Sequence, residues 1–263
     1  MSNIPGLKTV GLLGGGVIGG AWAARFALNG VDVKLYDIDP QATRKMSEIM
    51  TNARRAYSKL TLAPLPKEGT ITFVNTPEEA VTNVDYVQES APERLELKQE
   101  LLARASKAAS PTTVFGSSTS GLLPTQIQKD MVNPERFVVV HPFNPVYLMP
   151  LAEICGGDLT SEATKLRAKE VVTAVGMKPL MLSKEIDGFI ADRLLDVCGL
   201  KCPMPILRTK KALAAMASGE VLEILVTDPA AREDFAAFAR QTGHVLLHVQ
   251  DGGAQWAIYL RCK

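Results

Sequence analysis

Short apolar runs alternate with amphipathic segments along the first 190 residues. The run KTVGLLG at 8–14 ends in glycine, which is typical of a buried parallel strand. Residues 18–28 then place apolar side chains at helical spacing, and VDVKLYD at 31–37 predicts a second strand. The chain therefore opens with a strand, a glycine-rich turn, a helix and a strand that ends in an acid.

The same alternation continues to about residue 183. Further strands are predicted at 70–74, 84–90, 112–118, 136–142 and 178–183, with helices at 40–61, 77–83, 93–108 and 161–176. Strands that alternate with helices at this spacing predict an α/β fold with a Rossmann-type, doubly wound parallel sheet.

The pattern resets after residue 193. The run LLDVCG predicts a strand, followed by a helix at 205–218, a strand at 221–228, a helix at 230–243 and a hairpin of 244–250 with 254–262 across Asp251-Gly252-Gly253. This β-α-β-α-β-β order predicts a small two-layer α/β sandwich. We expect two domains, 1–193 and 194–263.

Composition narrows the functional classes. The 263 residues carry 29 basic and 28 acidic side chains, a net charge of +1, so binding of nucleic acid through bulk charge is not expected. No apolar run is long enough to span a bilayer, and the N-terminus lacks the pattern of a signal peptide. Four cysteines are too few and too unevenly spaced for a disulfide framework. We expect reduced thiols and a cytoplasmic location.

The first turn has the spacing of a dinucleotide site. Gly14, Gly16 and Gly19 form G-x-G-x-x-G directly after a strand and at the start of a helix, where free N–H groups can hold a pyrophosphate. Asp37 ends the second strand, placed to bind ribose hydroxyls. No arginine or lysine lies between Asp37 and Arg44, which favours NAD over NADP. The alternative is a structural glycine turn in another α/β protein.

A histidine and a carboxylate point to proton transfer. His141 ends a predicted strand at the carboxyl edge of the sheet, where ligands of α/β proteins bind, and Glu153 lies twelve residues later. A histidine oriented by a carboxylate is a common base for removing a hydroxyl proton as hydride leaves the same carbon. The alternative is a structural histidine in a turn.

Five segments of the first domain carry a family resemblance: GGGVIGGAWAARFALNG, QESAPERLELK, SSTSGLLPTQI, HPFNPVYLMPLAEICGG and KEIDGFIADRLL. Over about residues 5–195 the chain resembles the NAD-binding domain of the 3-hydroxyacyl-CoA dehydrogenases, most closely the L-carnitine dehydrogenase branch. The resemblance implies NAD as cofactor and a small-molecule substrate.

The resemblance also implies roles for individual residues. His141 and Glu153 match the catalytic pair, and Ser120 matches the serine that hydrogen-bonds the reacting oxygen. Asn144 matches the asparagine near the nicotinamide. In addition, Glu93 and Lys98 match the pair beside the cofactor.

The chain departs from the family pattern at two residues and in the segment that follows Leu195. The acyl-CoA enzymes have asparagine where this chain has Ser118 and Asp192, and both substitutions resemble the carnitine branch. The family continues from GFIADRLL into a helical domain, whereas here the resemblance stops after Leu195. The NAD half is therefore also consistent with cofactor binding without turnover.

The C-terminal domain carries a second kind of chemistry. Cys202 opens Cys-Pro-Met-Pro at a predicted helix start, where the helix dipole and nearby Arg208, Lys210 and Lys211 are expected to favour a thiolate. Residues 194–263 resemble the TusA/SirA-type sulfur-carrier family, which implies a persulfide on Cys202. The alternative is a buried structural cysteine.

A second cysteine, Cys198, lies close to this motif. We expect it to be inert packing, with a resolving thiol as the alternative. A metal site is not expected, because no second pair of cysteines has ligand spacing.

Two functional hypotheses follow. The first is an NAD-dependent oxidoreductase acting on the 3-hydroxyl of a small hydroxy acid, of L-carnitine or 3-hydroxyacyl type, fused to a persulfide sulfur-carrier module. The alternative is a sulfur-transfer protein whose Rossmann half binds NAD without turnover. Partners are a small-molecule substrate and sulfur-relay proteins, with no direct nucleic acid and no membrane. The exact hydroxy acid and the oligomeric state stay open.

Overall fold

The computed structural model describes residues 7–60, 65–182, 185, 193–251 and 255–263. The chain divides into two compact units, Met1–Glu185 and Ile186–Lys263. The junction predicted at residue 193 and the segment GFIADRLL fall largely outside the described residues, as does the predicted hairpin turn at Gly252-Gly253.

The first unit is built around one eight-stranded sheet. Its strands are β1 (Thr9–Leu13), β2 (Asp32–Tyr36), β3 (Ile71–Val74), β4 (Tyr86–Glu89), β5 (Val114–Ser117), β6 (Phe137–Pro142), β7 (Leu151–Cys155) and β8 (Lys178–Met181). Its helices are α1 (Val17–Leu28), α2 (Ala42–Leu60), α3 (Pro77–Val81), α4 (Leu95–Ala108), α5 (Pro124–Ile127) and α6 (Glu162–Ala174), and short 3₁₀ turns lie at Gln128–Asp130 and Pro134–Arg136.

The strand order is β3-β2-β1-β4-β5-β6-β7-β8. Strands β1 to β6 are parallel, which confirms the predicted doubly wound fold. Because β1 lies between β2 and β4, the chain switches direction across the sheet at β1. A crevice at such a switch point is where ligands bind in open α/β sheets.

The far edge of this sheet differs from the prediction. Strand β7 was not predicted, and it runs antiparallel to β6 before β8 pairs with β7 in parallel. An antiparallel strand at the edge of a parallel sheet is common in large α/β folds. The charged Glu153 in the middle of this five-residue strand interrupts the apolar run that would have indicated it.

A buried arginine, Arg25, connects α1 to the segments that follow β6 and α6. Arg25 donates three hydrogen bonds to carbonyl oxygens, those of Val146 at 2.7 Å, Val175 at 2.6 Å and Met149 at 3.0 Å. Burial lowers the pKa of Arg25, but three carbonyl acceptors satisfy the guanidinium. This arginine therefore joins α1 to the turn after β6 and to the end of α6.

The second unit contains a four-stranded sheet and two helices. Its elements are β9 (Arg193–Asp196), α7 (Met204–Leu213), β10 (Val221–Val226), α8 (Ala231–Thr242), β11 (Val245–Asp251) and β12 (Trp256–Arg261). The strand order is β11-β12-β10-β9, with β9 and β10 parallel and the other pairs antiparallel. The predicted β-α-β-α-β-β order is present, and Ile224, Phe235, Ile258 and Leu260 lie in its core.

Helices long and apolar enough to cross a membrane are absent from the part of the chain that the structure describes.

Replacing Arg25 by methionine should lower the free energy of unfolding by roughly 2–4 kcal/mol, because three carbonyl oxygens, two of them in buried hydrogen bonds, lose a charged donor. Arg55→Met on the exposed face of α2 is the matched control and should change stability by no more than about 0.5 kcal/mol. Urea unfolding measures both variants. Equal stability of the two variants would contradict the stabilising role of the hydrogen bonds that Arg25 donates.

Candidate functional site

The glycine-rich turn is held at close backbone approach. Gly14 has a φ of +98°, and a Cβ there would lie 2.7 Å from the carbonyl oxygen of Ser90. A Cβ on Gly19 would lie 1.9 Å from the carbonyl oxygen of Gly14, whereas one on Gly16 would meet no atom within 4 Å. The first and third glycines therefore allow β1, β4 and α1 to pack together, and the second leaves open space above the turn.

The start of α1 is suited to an anion. Gly16 precedes the helix and supplies no side-chain cap, and the first turn contains no acidic residue. The N–H groups of a helix start carry partial positive charge, so phosphate oxygens are favoured there. A cleft of about 500 Å³ lies over this turn and is lined by Gly14, Gly16 and Asp37, among others. The shape and polarity of the turn fit a dinucleotide.

Asp37 is bonded to the backbone around the turn. Its two carboxylate oxygens accept hydrogen bonds from the N–H of Gly15 at 2.5 Å and from the N–H of Asp39 at 2.6 Å. The carboxylate thus lies at the rim of the cleft, beside the end of β2.

A lysine that follows Arg44 in the sequence also lies at this cleft. Lys45 lines the cleft, and its Nζ lies 2.6 Å from the Oδ2 of Asp39. The hydrogen bond from Lys45 lowers the pKa of Asp39, which keeps this pair ionised. Arg44 pairs with Glu48 at 2.5 Å. Each of these cations is thus already matched by a carboxylate.

His141 and Glu153 lie opposite each other on β6 and β7. The Nδ1 of His141 lies 3.1 Å from the Oε2 of Glu153. Glu153 is 0% exposed and His141 is 8% exposed, so the pair is largely shielded from bulk water. The structure therefore brings together the two residues that the sequence predicted as a proton-transfer pair.

A second cluster of charged side chains, two of them buried, lies at the end of β4 and the start of α4. Lys98 is 1% exposed, and its Nζ lies 2.7 Å from Glu89 Oε1 and 3.3 Å from Glu93 Oε2. Glu89 also accepts from Ser117 Oγ at 2.5 Å. Sequence reasoning predicted Glu93 and Lys98 but missed Glu89. The signal for Glu89 was an acid at the end of a predicted strand, YVQE.

Glu93 joins this cluster to the loop that carries Ser120. Its Oε1 accepts hydrogen bonds from Thr119 Oγ1, from the N–H of Ser120 at 3.0 Å and from the N–H of Gly121 at 3.2 Å. Burial acts to raise the pKa of Glu93, but the charge of Lys98 and these donors outweigh it and lower the pKa below its usual value. Glu93 is therefore a carboxylate that fixes the backbone at Ser120.

Asn144 lies apart from these contacts. It is exposed in the turn after β6, and within the described residues its side chain makes no hydrogen bond to His141, Glu153 or the Glu93 cluster. Asp192, one of the two departures from the family pattern, lies outside the described residues.

In the second unit, Cys202 is the exposed thiol among the four free cysteines. It lies two residues before the start of α7, and its N–H donates to Asp228 Oδ2 at 3.0 Å. A hydrogen bond to Asp234, followed by burial and by the charges of Asp234 and Asp228, raises the pKa of the Cys202 thiol. The expectation of a thiol with a lowered pKa was wrong.

The physical reason for this correction lies in where the charges fall. Lys210 and Lys211 lie in the last turn of α7, far along the helix from Cys202, whereas two carboxylates lie beside it. The two carboxylates, and not the start of α7, therefore set the direction of the pKa shift of Cys202. The sequence places Asp228 and Asp234 more than twenty residues away, so only the tertiary fold shows this contact.

The other cysteines are less suited to react. Burial, followed by a hydrogen bond and the charge of Asp196, raises the pKa of Cys198 to about 11. Burial raises the pKa of Cys155 to about 12, and Cys262 is buried. Cys198 is half-buried, and its inertness stays a prediction. Among the described residues no group of three or more His, Cys, Asp or Glu is arranged to hold a metal ion.

Two family models match the chain. The model of the 3-hydroxyacyl-CoA dehydrogenase NAD-binding domain matches residues 9–186, and the model of sulfurtransferase TusA matches residues 193–262. Both resemblances read from the sequence are thereby confirmed.

Curated relatives match the first unit. An L-carnitine dehydrogenase/betainyl-CoA thioesterase of Rhizobium sp is 55% identical over 184 residues, which cover 70% of this chain and 37% of the relative. An L-carnitine dehydrogenase of Mesorhizobium japonicum is 53% identical over 185 residues, which cover 70% of this chain and 51% of the relative. The chain thus spans about a third to a half of the length of these relatives.

Solved structures give the same picture. The 5-formyl-3-hydroxy-2-methylpyridine 4-carboxylic acid 5-dehydrogenase, an NAD⁺-dependent dismutase, is 29% identical with a TM-score of 0.65, and the match covers 70% of this chain and 60% of that chain. A 3-hydroxybutyryl-CoA dehydrogenase of Escherichia coli is 27% identical with a TM-score of 0.61, and the match covers 71% of this chain and 40% of that chain.

Proposed function

Because the chain belongs to the 3-hydroxyacyl-CoA dehydrogenase NAD-binding family through residues 9–186, we propose that it is an NAD-dependent oxidoreductase acting on the 3-hydroxyl of a small hydroxy acid. The observation that carries the proposal is the buried His141–Glu153 pair at 3.1 Å, at the edge of the sheet where ligands of α/β proteins bind. Relatives named as L-carnitine dehydrogenases favour a substrate of the L-carnitine type.

The cofactor site would be formed by the turn between β1 and α1. Gly14, Gly16 and Gly19 would cradle the pyrophosphate, and Asp37 would bind ribose hydroxyls. When bound there, NAD⁺ supplies an acceptor for hydride.

Proton transfer falls to His141. With Nδ1 engaged by Glu153, the ring takes the proton of the substrate hydroxyl at Nε2 as the carbon loses its hydride. The buried carboxylate of Glu153 stabilises the resulting imidazolium. The products are a ketone, reduced cofactor and one proton.

Ser120 would hydrogen-bond the reacting oxygen. Glu93 holds the backbone N–H of Ser120, and Lys98 holds Glu93, so this loop is fixed before substrate arrives. Asn144 would lie near the nicotinamide. These roles of Ser120 and Asn144 come from the family resemblance.

Formation of NADH from L-carnitine, (S)-3-hydroxybutyrate and a 3-hydroxyacyl-CoA tests the activity. We expect turnover of L-carnitine, and His141→Ala should lower the rate by on the order of 10²–10⁴-fold, the usual effect of losing a general base. Glu153→Gln should also lower the rate, because the imidazolium loses its countercharge. His248→Ala in the second unit is the control and should leave the rate unchanged.

Binding of NAD⁺ to His141→Ala, measured by calorimetry, shows whether the variant still folds. An unchanged rate in a folded His141→Ala variant would contradict the mechanism. NAD⁺ binding without turnover of any of the three substrates would favour the alternative, a sulfur-transfer protein with a Rossmann half that only binds cofactor.

The second unit supports a separate proposal. We propose that residues 193–262 carry sulfur as a persulfide on Cys202, because this thiol is exposed and the unit matches sulfurtransferase TusA. The sulfur of Cys202 attacks the terminal sulfur of a donor persulfide. The S–S bond of the donor breaks, the donor leaves as a thiolate, and a new S–S bond forms on Cys202, with no external oxidant. Donor and acceptor would be sulfur-relay proteins.

Sulfur loading from a small-molecule persulfide, followed by peptide mass spectrometry, tests this role. Cys202→Ser should lose loading and Cys198→Ser should keep it. Asp234→Asn removes the group that raises the pKa of Cys202, so its alkylation rate near neutral pH should rise several-fold. Glu233→Gln, one residue away, is the matched control. Loading that survives Cys202→Ser but not Cys198→Ser would reverse the assignment.

A further inference from the structure

A chain of buried and half-buried polar side chains runs behind the crevice between β1 and β4. Tyr86 Oη and Gln88 Oε1 lie 2.7 Å apart, and Gln88 Nε2 lies 2.8 Å from Ser118 Oγ. Trp22 Nε1 lies 3.1 Å from the same Ser118 oxygen, which in turn lies 2.9 Å from Ser90 Oγ. The chain leads from the core of the sheet to the cleft, because Ser90 is one of the residues that line the cleft.

The orientation of the Gln88 amide is determined by its neighbours. Gln88 Nε2 also lies 3.1 Å from the carbonyl oxygen of Val140, which can only accept. The amide nitrogen must therefore face Val140 and Ser118, and Oε1 must face Tyr86. Burial raises the pKa of Tyr86, so its hydroxyl stays protonated and donates to Oε1.

This orientation sets the direction of the next hydrogen bond. The indole of Trp22 and the amide of Gln88 are both N–H donors, so the oxygen of Ser118 accepts two hydrogen bonds. A hydroxyl oxygen has two acceptor positions, and both are then occupied. Ser118 must therefore donate its own hydrogen, and the acceptor at 2.9 Å is Ser90 Oγ.

The hydrogen bond from Ser118 determines where the hydroxyl hydrogen of Ser90 can point. Since Ser90 accepts from Ser118, its own hydrogen points elsewhere, and no other acceptor for this hydroxyl is found among the described residues. The backbone of Ser90 is fixed by the hydrogen bond from its N–H to the carbonyl oxygen of Leu13 at 2.8 Å. Ser90 thus keeps a hydroxyl hydrogen that is not donated to Ser118, and this hydroxyl lies at the wall of the cleft.

The position of Ser90 in the crevice indicates which half of the dinucleotide its hydroxyl contacts. Ser90 follows β4 and Asp37 follows β2, and these strands flank β1 on opposite sides. If Asp37 binds the adenosine ribose, as the proposed function requires, Ser90 faces the other half of the dinucleotide. Resting on that function, we propose that Ser90 Oγ–H donates a hydrogen bond to an acceptor oxygen on the nicotinamide-ribose half of bound NAD.

Calorimetric titration of the full chain with NAD⁺ and with adenosine 5′-monophosphate tests this assignment. Ser90→Ala should weaken NAD⁺ binding by about 3–10-fold, the usual effect of one neutral hydrogen bond. Binding of adenosine 5′-monophosphate, which lacks the nicotinamide half, should not change. Ser58→Ala on the exposed surface of α2 is the control for both ligands.

Trp22→Phe separates hydrogen-bond direction from general packing. Loss of the indole donor frees one acceptor position on Ser118, so Ser90 can turn its hydrogen inward and NAD⁺ binding should weaken. In the Ser90→Ala background the same change should add no further loss, because the hydroxyl it acts through is gone. An equal loss in both backgrounds would show a packing effect and overturn the proposed direction.

The remaining outcomes are distinct. Equal NAD⁺ affinity of wild type and Ser90→Ala would overturn this inference and leave the proposed function standing. Parallel weakening of adenosine 5′-monophosphate would also overturn it, since the contact would not be to the nicotinamide half. A wild-type chain that binds no NAD⁺ would overturn both.

Discussion

The close approach of α1 to the ends of β1 and β4 is the contact on which the first unit depends. It is possible only because Gly14 and Gly19 carry no side chain where the neighbouring backbone lies within 3 Å of a would-be Cβ. The approach places the start of α1, the carboxylate of Asp37 and the hydroxyl of Ser90 around one crevice. A bulkier residue at either glycine would separate these groups and remove the site without touching any of them.

A second constraint acts at the opposite edge of the sheet. Antiparallel pairing of β6 with β7 sets His141 directly across from Glu153. A slip of one residue in this register would turn one of the two side chains to the other face of the sheet. The buried hydrogen bond from Arg25 to the carbonyl oxygen of Val146 holds the turn that follows β6, so α1 supports both the glycine-rich turn and the edge that carries His141 and Glu153.

Much of this arrangement could be predicted from local pattern. Periodicity was sufficient for β1, α1 and β2, because apolar spacing and glycine placement act within a few residues. His141 could be identified from its position at the end of a predicted strand. By contrast, β7 was missed because Glu153 breaks its apolar run, and the contacts of Glu89 and Lys45 depend on side chains that meet only after folding.

Electrostatic predictions were the least secure. The helix start at Cys202 was expected to lower the thiol pKa, yet Asp234 and Asp228 come from a different element and raise it. Charges that are distant in sequence cannot be placed from periodicity, and a hydrogen-bonded carboxylate beside a thiol outweighs a helix dipole at the surface.

The most direct measurement is a calorimetric comparison of NAD⁺ and NADP⁺ binding to the wild-type chain and to Asp37→Ala. The account predicts clear preference of the wild type for NAD⁺, because a 2′-phosphate would meet the carboxylate of Asp37 while Lys45 is already paired with Asp39. Asp37→Ala should narrow the difference between the two cofactors. Equal affinity of the wild type for NAD⁺ and NADP⁺ would contradict the account.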